Sequence, residues 1–111
     1  MEIATRAFNR CDVVEASGRI DAATASQLES ALNAIAEAGR YNIVLDMSGV
    51  DFISSVGLRV LIDARRRCRR YNRGDLVLAS PSANVNRTLE LAGFHTLFQV
   101  YETTLEAVGS I

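Results

Sequence analysis

The sequence predicts an open α/β domain in which about four helices cover a mixed β-sheet of about four to five strands. Three observations carry that prediction. Short runs of apolar and β-branched residues alternate with segments whose apolar residues recur at helical intervals. The run at 42–46 is built on the consecutive apolar Ile43-Val44-Leu45 and is too short for a helix, as expected of a central strand buried on both faces. Glycines or polar turns, at Gly18, Gly39, Gly74 and Gly93, mark the changes between the two patterns. With 111 residues, 49% hydrophobic and 23% charged, the composition suits one globular core, so residues 1–111 are expected to form a single domain.

Taken in order, segments 3–8 and 12–16 read as strands joined through Asn9-Arg10, an opening hairpin. The Gly18 turn leads into a first helix, where Thr24 and Gln27 have capping-box spacing and Leu28, Ala31, Leu32, Ile35 and Ala38 form the apolar stripe. After the strand at 42–46 comes a polar loop. A second helix is expected from Ser54-Ser55 to about Tyr71, with Val56, Val60, Leu61, Ala64, Cys68 and Tyr71 facing inward. Asn72-Arg73-Gly74 ends it, and 76–79 forms the next strand. Ser80-Pro81 opens a short helix reaching Leu91, residues 98–101 form the last strand, and Thr103 with Glu106 caps a terminal helix carrying Leu105 and Val108.

The serine pair is the most informative feature. Backbone N–H groups at a helix start lack intrahelical partners and carry the positive end of the helix dipole, so a phosphoryl group on Ser54 or Ser55 meets favourable electrostatics. It would add a charge of roughly −1.5 to −2 at neutral pH. The competing reading is purely structural, since serine is also among the preferred N-caps.

The string Leu45-Asp46-Met47-Ser48-Gly49-Val50-Asp51-Phe52-Ile53-Ser54-Ser55-Val56-Gly57-Leu58 resembles the signature of STAS domains, and specifically of bacterial anti-sigma factor antagonists. Gly18-Arg19-Ile20-Asp21 with Ala23-Thr24-Ala25, then Val85, Leu89, Gly93 and Phe94, then Leu97-Phe98 with Val100-Tyr101, extend the resemblance over nearly the whole chain. It implies the STAS fold and a switch in which the unmodified antagonist binds an anti-sigma factor that is also an ATP-dependent serine-protein kinase, releasing a sigma factor. Phosphorylation of the antagonist reverses binding, and a serine phosphatase restores it. By alignment the phosphoacceptor is Ser55, with Ser54 retaining the cap; Ser54 stands as the alternative, because the family often carries Asp before the modified serine and a small residue after it. Asp21, Ser54, Val56, Gly57 and Leu58 are implied to lie in the partner surface. The same resemblance leaves room for a scaffold or accessory subunit of a signalling or transporter assembly, in which the serines merely cap.

Other functions are disfavoured by the residues themselves. A net charge of −1, from 12 basic and 13 acidic residues, argues against a polyanion as the main partner. The arginines at 65–70 lack interleaved aromatics, so no nucleic-acid platform is indicated; a solvated helix face that steers an acidic partner is the preferred reading. Neither a membrane span nor a secretory leader is recognisable, and a cytoplasmic protein is expected. Cys11 and Cys68 lack metal-ligand spacing and read as buried thiols. Ser55 lacks the glycine-flanked nucleophile elbow of hydrolases, His95 has no acidic orienter in the sequence, and Asp21, Asp46 and Asp51 match no metal loop, so neither catalysis, cofactor nor metal is expected.

Overall fold

A computed structural model describes residues 1–111. Five strands, β1 (Glu2–Ala7), β2 (Asp12–Ile20), β3 (Asn42–Ile53), β4 (Asp75–Ala79) and β5 (Val100–Tyr101), lie side by side in sequence order. The β1–β2 hairpin is antiparallel and every later pairing is parallel, so the sheet is mixed as expected. Between and after the parallel strands run α1 (Ala25–Glu37), α2 (Ser55–Arg69), α3 (Ala83–Leu91), the single turn α4 (Phe94–Leu97) and α5 (Thr104–Gly109).

The two faces of the sheet are covered unequally. On one, Leu28, Leu32 and Ile35 of α1, Val60, Leu61 and Ala64 of α2 and Val85 and Leu89 of α3 close over Val14, Ile43, Leu45, Leu76 and Leu78 in the main core. On the other, α5 brings Ala107 against Val13, Val44 and Val77. Beyond the reach of α5 that face is open. Glu15, Ser17, Asp46 and Ser48 line a depression of about 260 Å³ there.

Several local expectations are corrected. β2 runs to Ile20 and β3 to Ile53, because the two strands stay paired past the stretch read as a loop, accommodating register shifts between Glu15 and Ser17 and between Gly18 and Arg19. Gly49 is required there: a Cβ on it would lie 2.7 Å from Ser17 Cβ, closer than two strands could tolerate. The Thr24–Gln27 capping box does not form. Thr24 Oγ1 instead donates to Arg19 O at 2.7 Å and accepts from Asp21 N at 3.0 Å, while Gln27 Nε2 donates to Met1 O. Tyr71 leaves the inward stripe, 84% exposed and with φ of 59°, because α2 ends at Arg69 and a short turn follows. Val56 also faces out, at 45% exposure. Ser82, rather than Ser80, caps α3 by accepting from Val85 N, and Phe98 precedes β5, packing its ring flat on Phe94 in the core. Thr103 caps α5 as read, its Oγ1 accepting from Glu106 N, but Glu106 Oε1 accepts from the Thr103 hydroxyl rather than from its backbone N–H, and Leu105 is exposed.

Candidate functional site

The site lies where β2 and β3 end and α2 begins. The parallel register brings Ile20 opposite Ile53, and the next hydrogen bond, from Ser54 N to Ile20 O at 2.8 Å, ties the start of α2 to the end of β2. Two adjacent carboxyl ends of parallel strands therefore open onto one surface, the usual position of binding sites in open α/β sheets.

The two serines have different environments. Ser54 is extended, with φ of −90° and ψ of 173°, and half-buried; its Oγ accepts from Gly57 N at 3.3 Å, making it the N-cap of α2. Ser55 is the first residue of the helix and is exposed, with no internal partner for its hydroxyl. The backbone N–H groups of Ser55 and Val56 belong to the first turn and have no intrahelical acceptors, so the positive end of the α2 dipole emerges beside the Ser55 hydroxyl.

The surrounding predicted residues divide by burial. Val56 is exposed and Leu58 half-buried, both accessible on the surface. Gly57 is buried, so its place in the site is to let α2 approach the sheet rather than to touch a partner. Asp21 sits on the turn into α1. Burial there works to raise its pKa, but hydrogen bonds from the Ala23 and Thr24 backbones and the Thr24 hydroxyl, with the nearby Arg19 guanidinium, hold the carboxyl below the ordinary range. Asp21 therefore presents a fixed negative charge beside the serine pair.

Sequence reasoning missed three members of this surface. Arg19 lays its guanidinium 4.3 Å from the centroid of the Phe52 ring, and the pair is opposed across the β2–β3 register. Once both strands are carried to their true ends, that register brings these residues together. Arg59, one turn into α2, joins Ser55, Leu58, Ile62, Asp63 and Arg66 along a groove of about 570 Å³, whose other wall is Ala92 and Phe94.

Residues raised for other chemistry do not assemble. Asp46 accepts from Ser48 N at 2.9 Å, Asp51 O accepts from Asn84 at the start of α3, and Asp21 serves its own turn. His95 Nε2 is 2.9 Å from Asn86 Oδ1 and lines a different depression from the one holding Ser55. Of the clustered arginines, Arg65 and Arg69 pair with Asp75, each at 3.3 Å, and Arg67 bonds Asn33.

A five-stranded mixed sheet with a serine-capped helix at the ends of its first parallel pair defines a small α/β binding module. Residues 2–107 match the STAS domain family, and the chain belongs to it. A protein of Bordetella bronchiseptica named as the anti-sigma factor antagonist BtrV is 37% identical over 83 residues, which cover 75% of this chain and 71% of that protein. The crystal structure of an anti-sigma factor antagonist from Mycobacterium paratuberculosis superposes with a TM-score of 0.87 at 26% identity, covering 99% of this chain and 92% of the other. The phosphorylated form of the Bacillus cell fate determinant SpoIIAA shares the fold, with a TM-score of 0.76 at 17% identity and 98% of each chain covered. No helix is long and apolar enough to cross a membrane.

Proposed function

We propose that this chain is an anti-sigma factor antagonist that binds an anti-sigma factor when unmodified and is released when Ser55 is phosphorylated. The names of its relatives support the role. One observation supports the switch: Ser54 supplies the cap of α2, leaving the adjacent Ser55 hydroxyl exposed and unbonded at the positive end of the helix. A phosphoryl group added to Ser55 takes nothing away from the fold. It does place a doubly charged, hydrated group beside Val56 and Leu58 on the first turn of α2, apolar side chains that would have to be desolvated against a partner. SpoIIAA, which is known in a phosphorylated form, lends the chemistry a precedent within the fold.

In this reading the partner is an anti-sigma factor with serine-protein kinase activity, a serine phosphatase resets the switch, and the protein acts in the cytoplasm. The role is that of a binding protein rather than an enzyme, in keeping with the anti-sigma factor antagonist names of its relatives.

The test is phosphopeptide mapping after incubation with candidate ATP-dependent anti-sigma kinases, followed by affinity measurements on Ser55→Ala and Ser55→Asp. A single phosphoryl group on Ser55, with Ser55→Asp losing at least about tenfold in affinity while its circular dichroism is unchanged, is the expected result. Modification of Ser54 would move the site. A chain unmodified with every kinase, purifying with stable companion subunits, would assign the scaffold role instead.

A further inference from the structure

We infer that Arg59 is the internal partner of a phosphoryl group on Ser55, drawn out of the groove and onto the modified residue by an ion pair along one face of α2. The inference rests on the proposed modification of Ser55. It starts from spacing: Ser55 and Arg59 are four residues apart on one helix, and both line the same groove. Residues at i and i+4 are neighbours, and an acidic group N-terminal to a basic one is the favourable order for a helical pair.

Arg59 is also available. The five ion pairs of the chain use Arg6, Arg19, Arg40, Arg65 and Arg69, and Arg59 is in none of them. It does not bond Asp63, four residues further on, although that acid lines the same groove. The remaining charged residue of the groove, Arg66, lies eleven positions from Ser55, about 16 Å along the helix axis and too far for direct contact. Across the groove Ala92 and Phe94 carry no charge. Within the groove, a phosphoserine at position 55 would thus find one cation in reach, with Asp63 the one acidic competitor for it.

The pairing gives the modification a second effect. In the unmodified protein Arg59 offers a positive charge beside the apolar Leu58 and Ile62, suited to an acidic group on a partner. Phosphorylation adds negative charge at Ser55 and simultaneously neutralises that cation, so the mark changes two features of the surface through one residue.

The experiment incorporates phosphoserine at position 55 during translation, so it requires no kinase and stands apart from whether cells modify this residue. Phosphorus NMR then follows the second phosphate ionisation in the otherwise native chain and in Arg59→Gln, Arg59→Lys and Asp63→Asn. The helix dipole, Asp21 and Asp51 are common to every variant and cancel in the comparison. The native chain should ionise about half a pH unit lower than Arg59→Gln at low salt, with Arg59→Lys between them and Asp63→Asn lowest. The difference should shrink at high salt. Equal ionisation in the native chain and Arg59→Gln, with both proteins folded by circular dichroism, would overturn the inference while leaving the Ser55 switch intact.

Discussion

Gly57 lies against Ile20 so closely that a Cβ on the glycine would fall 2.6 Å from Ile20 Cγ2 and 2.9 Å from Ile53 Cγ1. Both isoleucines are buried and β-branched, with no room to swing aside. Gly57→Ala should therefore lose more by overpacking than it gains in helix propensity, lowering stability by about 1–2 kcal/mol and lifting the first turn of α2 from the strand ends. Urea unfolding measures the first effect. Loss of hydrogen-exchange protection confined to the start of α2 would report the second.

The unequal roles of the serines make opposite predictions for two neighbouring substitutions. Ser54→Ala removes the acceptor of the Gly57 N–H and should destabilise the protein by about 1 kcal/mol. Ser55→Ala removes an exposed hydroxyl with no internal partner and should change stability by less than about 0.5 kcal/mol, while abolishing the proposed phosphorylation. The same urea titrations decide the matter, and a reversed order would mean that the two hydroxyls had exchanged roles.

Much of this site is legible in the residues alone, and the parts that are not have identifiable causes. The strand at 42–46 and the serine pair opening α2 are visible because an uninterrupted apolar run and a helical stripe are strong local signals. The true ends of β2 and β3 are hidden. Met47, Val50 and Ile53 are buried at intervals of three, because the shifted register breaks the alternation that identifies a strand, and the open face of the sheet admits Ser48 and Asp51. With those ends concealed, the pairing of Arg19 with Phe52 could not be anticipated. Thr24 misleads for another reason: its hydroxyl has the right spacing for a cap but is already held by Arg19 O and Asp21 N.

At the opposite end of the sheet, Asp12 is buried and accepts a hydrogen bond from Arg40 Nε, while the same guanidinium donates to the carbonyls of Phe8 and Cys11. Arg40→Met would strand the Asp12 carboxylate and remove a donor from the carbonyls of Phe8 and Cys11, of which Cys11 O keeps the Phe8 N–H at 2.8 Å, at an expected cost of about 2–3 kcal/mol. Asp12→Asn in the same chain should recover part of that loss. A double-mutant cycle between the two positions should give a coupling of about 1–3 kcal/mol; additive effects would mean that the pair contributes through packing alone.

Cys68 yields a prediction in pH. Burial first, and the negative charge of Asp75 second, push its pKa up to about 11, against the opposing influence of Arg67 and Arg73. Cys11 moves in the same direction, again chiefly through burial, with the charge of Asp12 adding to it and Arg40 opposing. In an unfolded chain either thiol ionises near its ordinary value, about 8.5. Below that pH both states hold the proton and the thiols make no pH-dependent difference. Above it the unfolded state loses protons that the folded state keeps, so stability falls as pH rises toward the folded value. The native protein should lose more stability between pH 8 and pH 10.5 than Cys11→Ala/Cys68→Ala does, with both followed by urea unfolding under reducing conditions. At pH 8 the native thiols should also resist iodoacetamide until the chain opens, with labelling that accelerates in step with added denaturant. Equal losses of stability in the two proteins, or rapid labelling without denaturant, would show that these thiols are open to water.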